Sequence, residues 1–345
     1  MKKFLGILVV LIAVCMIATF AAAEDTEVVV PTTCAAGCES PEWQAYSAVG
    51  NLNNLTAGHH HVYLDSAITP EQILLGRSEA GVTLCLDLNG FSINTNGRTA
   101  IVYTGSALNI MDSSAEQTGY ICGTRGDNNE AGGTISVQPT AELNLYSGSL
   151  RFTWDDEGTQ TLQSAGVVWV QAGGTMNMYG GEVVGADMTQ DSAFEYGGAI
   201  YVSSEKAGDV ITSGQLNVYG GKITSGTLPE GATAPCVYLR DYALMTVSGD
   251  AVVDDIYTTV NRLTVDGEFS GEVYLTLRGK TLTDGLKVGN AVNEPRITGK
   301  LFCVNGDGWN VLVDGANLVL EAHSAVVEER DARFAKKRLP GRVLP

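Results

Sequence analysis

Between residues 86 and 269 one short pattern of apolar and polar positions keeps returning. It reads Leu86-Asp-Leu-Asn-Gly-Phe-Ser-Ile93, Leu143-Asn-Leu-Tyr-Ser-Gly-Ser-Leu150, Met176-Asn-Met-Tyr-Gly-Gly-Glu-Val183, Leu216-Asn-Val-Tyr-Gly-Gly-Lys-Ile223 and Met245-Thr-Val-Ser-Gly-Asp-Ala-Val252. Leu108-Asn-Ile-Met-Asp112 and Leu263-Thr-Val-Asp-Gly-Glu-Phe269 are weaker copies. Alternation with a period of two predicts a strand with one buried face. The glycine marks a sharp corner where φ can be positive, and the next apolar residue starts another short strand. A further short strand precedes most copies, as in Ile135-Ser-Val, Val168-Trp-Val and Val237-Tyr-Leu. After Ile200-Tyr-Val the gap is longer, which predicts a loop inserted at Ser203–Ser213.

Copies of one local motif at uneven spacing predict stacked coils. Each coil buries its apolar residues only against its neighbours, and loops of different length protrude from a constant frame. The expected fold is therefore all-β, a right-handed parallel β-helix solenoid with a small N-terminal cap. Less regular copies near Leu301 and Leu318 extend the count to roughly eight to eleven coils, a rod on the order of 40–50 Å at the usual strand spacing. The composition agrees, with 41 Gly against 9 Pro. Solenoid ends need covers, because an open last coil exposes both core and strand edges. Residues 24–80 lack the repeat and are read as the N-terminal cap, with a short helix expected from Pro70 to Gly76. Residues 81–327 are read as the β-helix. Residues 328–345 hold six of the 21 basic residues and form a basic tail, either helical or frayed.

Residues 1–23 have the form of a secretion signal. Lys2 and Lys3 precede an apolar run from Phe4 to Ile17, and Ala21-Ala22-Ala23 supply the small residues that signal peptidase requires. The run is shorter than the ~20 apolar residues of a membrane span. Lipidation at Cys15 is disfavoured by the bulk of Val14 before it. No later stretch is long and apolar enough to span a bilayer, so secretion or surface display is expected. The formal net charge of −18 argues against nucleic acid and anionic membranes, both of which need Lys and Arg to neutralise phosphates.

The phrases Val82-Thr-Leu-Cys-Leu-Asp-Leu-Asn-Gly90 and Gly197-Gly-Ala-Ile-Tyr-Val202, with the repeated Leu-Asn-x-Tyr-Gly-Gly, resemble secreted right-handed β-helix proteins of the pectin-lyase-like group. They are similar in particular to large surface proteins of anaerobic gut bacteria. The resemblance implies the fold. It implies no one activity, because this architecture serves lyases, hydrolases, adhesins and passive scaffolds alike.

The candidate chemistry is sparse. Asp155-Asp156-Glu157 and Asp254-Asp255 are the tight acidic clusters of the repeat region, and neither has a His nearby in sequence. Both are read as solvated loop charge, with a weak Ca²⁺ site at Asp155, Asp156 and Glu157 as the one cofactor alternative. His59, His60 and His61 are contiguous, and with Cys34 and Cys38 they can make a small zinc site in the cap, against a local disulfide or free thiols. Cys85 sits in a strand-like run where a buried free thiol is ordinary. The most suggestive feature is aromatic. Coils in register align Tyr146, Tyr179 and Tyr219 in one outward column, and Trp169, Tyr201 and Tyr238 in another. Such rings serve either as a platform for sugars or as a ladder stabilising the sheet. The reading that follows is a non-enzymatic, adhesin-like β-helix that binds a glycan or another extracellular surface component. A polysaccharide lyase or glycoside hydrolase acting on uronate-rich glycans is the alternative, and a passive spacer is the third.

Overall fold

The structure, a computed structural model, describes residues 28–124, 133–153, 166–185, 198–226, 235–305 and 308–322. The proposed signal, the Asp155–Glu157 cluster and the basic tail lie outside these residues. Among the described residues nearly all regular structure is β, gathered into one long and mostly parallel sheet of 26 strands, the arrangement of an all-β solenoid.

On one face the strands Gly58–Tyr63, Val82–Asp87, Ala107–Met111, Glu142–Leu145, Thr175–Met178, Gln215–Val218, Leu244–Gly249, Leu263–Phe269 and Lys287–Ile297 pair in turn, all parallel. These nine strands mark nine coils. A second face runs through Ser92–Asn94, Tyr120–Thr124, Ser149–Thr153 and Glu182–Val184. A third runs through Ile73–Leu75, Ala100–Val102, Ile135–Val137, Val168–Val170, Ile200–Val202 and Val237–Leu239. The repeat explains this directly. Leu143 and Leu145 sit over Leu108 and Ile110 and under Met176 and Met178, and all six are buried. Each such side chain contributes about 1.5–3 kcal/mol by leaving water.

The Gly180-Gly181 corner after Thr175–Met178 needs glycine for two reasons. Gly181 has φ +73°, and a Cβ there would lie 2.6 Å from the Gly148 carbonyl oxygen of the coil below. Side chains also hold the corners. Asp87 Oδ1 accepts from the Asn89 and Ser113 amides at 2.8 and 3.0 Å, and Asp112 accepts from the Gly90, Ser114 and Gly119 amides at 2.8, 3.1 and 2.5 Å. The insertion at Ser203–Ser213 is an antiparallel hairpin, Ser204–Ala207 against Val210–Ser213.

The ends differ from the sequence-based expectation. Gly58–Tyr63 and Ile73–Leu75 already belong to the stack, so coiling starts inside the segment read as cap. The helix expected over Pro70–Gly76 is instead the strand Ile73–Leu75, because Ala100–Val102 offers it a parallel edge. The segment before Gly58 covers the first coil. Trp43–Ala45 pairs with His61–Tyr63, and Leu52 is buried with Tyr46, Val49 and Leu55 packed on the core. At the other end the region near Leu318 is not a further coil. Trp309–Asp314 and Asn317–Ala322 form an antiparallel hairpin that closes against Lys287–Ile297. Among the described residues, no helix is long and apolar enough to cross a membrane.

Candidate functional site

Alternation on the first face sends every second side chain outward, and the parallel register lines these up coil over coil. One outward position is Asn109, Asn144, Asn177 and Asn217. Each Nδ2 after the first donates to the Oδ1 of the coil before it, at 2.8 Å throughout. The outward position two residues on is Tyr146, Tyr179 and Tyr219, the first of the expected aromatic columns. Its rings are 4.9 and 5.2 Å apart and within 11° and 19° of parallel. That spacing is close to the separation of neighbouring strands, so the rings stack on one another. Their faces are covered by their neighbours, and the column offers edges and hydroxyls to solvent. Tyr179, in the middle, is 47% exposed. Burial, with the neighbouring Tyr179 adding to it, pushes the Tyr146 hydroxyl up to about 12. Burial also raises Tyr219. These two phenols are thus protonated donors at neutral pH.

The second aromatic column also forms in the expected register, with Trp169 beside Tyr201, Tyr201 beside Tyr238, and Tyr257 continuing it. It does not present an open face. Tyr201 and Tyr238 are each 5% exposed, and their rings are tilted by 56° rather than stacked. Arginines of later coils engage the hydroxyls: Arg240 donates to Tyr201 Oη at 3.3 Å and Arg278 to Tyr238 Oη at 2.9 Å. Arg278 also pairs with Asp241 at 2.9 Å and lies over the rings of Tyr238 and Tyr257. Trp169 donates its Nε1–H to Ser203 Oγ at 3.2 Å. Sequence pattern found the rings but not these arginines, which sit just beyond the strands and come into reach only through stacking.

A third cluster lies at the start of the stack. His59 and His61 are outward positions of Gly58–Tyr63, and Cys85 is the register partner of His61. The N-terminal segment crosses this face and brings Cys34 and Cys38 over it, so Cys85 is 0% exposed although it points away from the core. Cys85 Sγ lies 3.4 Å from Cys34 Sγ, 3.9 Å from Cys38 Sγ and 3.2 Å from His59 Nε2. Cys38 Sγ is 3.4 Å from His59 Nε2. Cys34, Cys38, Cys85 and His61 place their ligand atoms within 4.8 Å of one another. The His59 and His61 rings stack at 4.7 Å, and Trp43 packs edge-on to His61. Burial, then contact with Cys34, pushes the Cys85 thiol far above its ordinary value. Burial, helped by the charges of His59 and His60, holds His61 below its usual range and keeps it neutral at pH 7. Sequence reading joined the histidines to Cys34 and Cys38 but took Cys85 for a core thiol. The signal was there in the alternation: Leu84 and Leu86 point inward, so Cys85 points out.

The remaining acidic pair is not a solvated loop. Asp254 and Asp255 lie within the strand Val252–Thr258, which runs through a corner with a register shift between Val253 and Ile256. Asp254 is buried and accepts from the Ser225 amide, while Asp255 accepts from Thr276 Oγ1 at 3.2 Å. The described histidines, His59, His60 and His61, belong to the first coil. Comparison with known proteins finds no matching family model, no matching curated protein and no matching solved structure.

Proposed function

We propose that the chain is a secreted or surface-displayed, right-handed β-helix of the pectin-lyase-like kind, non-enzymatic, that binds an extracellular glycan along the outer edge of the Tyr146–Tyr179–Tyr219 column. The signal-like residues 1–23 and the acidic composition support the location. The observation that carries the binding reading is the column itself. It is a regular row of phenol edges, one per coil, with Tyr179 47% exposed at its centre. An extended polymer with repeating hydroxyls meets repeating donors and acceptors at strand spacing, and Tyr combines an apolar edge with a polar tip. Glu182 and Lys222, paired at 3.4 Å on the adjoining face, add charge of both signs near by.

A second reading has its own observation. The ring faces are filled by their neighbours, which is what a purely structural ladder requires, and it favours a passive spacer. Screening residues 24–345 and a Tyr179→Ala variant on a broad glycan array separates the two. Binding by the wild type that is lost in the variant supports the glycan reading. Absence of binding by the wild type to any glycan supports the spacer and overturns it.

A further inference from the structure

We propose that Cys34, Cys38 and Cys85, with His61 as fourth ligand, form a tetrahedral structural zinc site that fastens the N-terminal segment across the first two coils. The proposal is independent of the glycan reading. Zinc in closed structural sites takes four Cys or His ligands, with Zn–S about 2.3 Å and Zn–N about 2.0 Å. A regular tetrahedron with those bonds has sulfurs about 3.8 Å apart and nitrogen about 3.5 Å from each sulfur. The protein has Cys34 and Cys85 sulfurs at 3.4 Å and Cys38 and Cys85 sulfurs at 3.9 Å, with all four ligand residues inside 4.8 Å. Two of the sulfur–sulfur separations thus lie near the value the ion imposes, and His61 is within 4.8 Å of all three sulfurs.

Three further observations favour a metal over plain thiols. His61 Nε2 is buried and without a hydrogen-bond partner, a cost that coordination through this nitrogen would offset. The sulfurs number three, so a disulfide between any two leaves the third unpaired, whereas zinc uses all of them. The ligands also come from three separate places: the covering segment, the first coil and the second. A solenoid's exposed end is its weak point, and a cross-link there holds the cover where it is needed. His59, whose Nε2 is 3.2–3.4 Å from two of the sulfurs, serves as a hydrogen-bonding neighbour of the thiolates rather than as a ligand.

The test uses the full chain purified with reductant and without chelator. Elemental analysis is expected to find about one zinc per chain, and Co²⁺ exchange to give the intense visible bands of a tetrahedral thiolate site. Cys38→Ser and His61→Ala are expected to weaken binding by about tenfold or more, while His59→Ala and the distant Cys122→Ser retain the metal. Cys38 is only half-buried, so its variant remains a fair test if Cys85→Ser fails to fold. Chelation is expected to make residues 28–56 the first site of proteolysis. A reduced, folded protein that retains no zinc and gives only octahedral Co²⁺ bands would overturn the proposal. So would a Cys34–Cys85 disulfide found by peptide mapping of the secreted protein. Metal lost in His59→Ala and kept in His61→Ala would overturn the assignment of His61.

Discussion

Asn144 is the link on which the asparagine ladder turns. It is 7% exposed, donates to Asn109 Oδ1 and accepts from Asn177 Nδ2, both at 2.8 Å. Asn144→Ala removes both bonds. Asn109, only 4% exposed, is then left with a carbonyl oxygen that water reaches poorly, at about 1–3 kcal/mol. Asn177 is half-buried and recovers hydration, so its side loses about 1 kcal/mol. The expected sum is about 2–4 kcal/mol. At an unfolding entropy of about 2.1 cal/mol/K per residue, a chain of this length loses about 3–6 °C in Tm. Asn217→Ala, at the end of the ladder, breaks one bond from a half-buried group and is expected to cost about 0.5–1.5 kcal/mol. Asn144→Asp keeps the acceptor but sets a carboxylate oxygen against Asn109 Oδ1, so it is expected to be the worst of the three at neutral pH and to improve on acidification. Urea and thermal unfolding of the three variants beside the wild type make the comparison. Equal losses for Asn144→Ala and Asn217→Ala, or a loss below about 0.5 kcal/mol for Asn144→Ala, would refute the view that the ladder is a linked, buried network.

Asp87 and Gly271 offer two independent checks on the corners. Burial raises the Asp87 carboxyl above its ordinary value of 3.8 despite the amides of Ser113 and Asn89. The native state therefore binds the proton more tightly than the unfolded chain, and stability falls as pH rises through the window between the two values. Asp87→Asn removes this slope, so urea midpoints at several pH values should show the variant gaining on the wild type as pH rises above about 4. A difference that stays flat, or that shrinks with pH, contradicts the assignment. A Cβ on Gly271 would lie 1.9 Å from the Ala251 carbonyl oxygen, where backbone meets backbone. Gly271→Ala is expected to cost about 3 kcal/mol or more, against about 1 kcal/mol for Gly279→Ala, which has positive φ but open space. Equal midpoints for the two would mean that the coils separate more easily than their packing suggests.

Most of the frame could be read from the chain because each coil repeats a local rule. Leu143 and Leu145 alternate with Asn144 and Tyr146, Gly148 turns the corner, and Leu150 starts the next face. Parallel stacking then turns a repeated Asn-x-Tyr into two ladders without further information. The failures lie where distant segments decide. Ile73-Leu74-Leu75 carries too little pattern to tell strand from helix, and the edge of Ala100–Val102 settles it. Cys85 meets Cys34 across 51 residues, through the path of a covering segment that has no repeat. The closing hairpin did have a local signal, Gly315 with φ +58° at the first position of a two-residue turn between Asp314 and Asn317. The arginines over the second aromatic column directly follow the strands Val237–Leu239 and Glu272–Leu277, whose spacing along the chain is not that of the repeat, so no fixed interval announces them.

The central claim is that the Tyr146–Tyr179–Tyr219 edge binds an extracellular glycan. The most direct measurement is a titration of the strongest array ligand into wild type and Tyr179→Ala by calorimetry, with urea midpoints taken on the same samples. A loss of affinity of about tenfold or more is expected in the variant, the scale of a lost aromatic contact with its hydrogen bond, while the variant stays folded at the titration conditions. Unchanged affinity, in a variant whose only change is a lower midpoint, would contradict it and leave the tyrosines as a structural ladder.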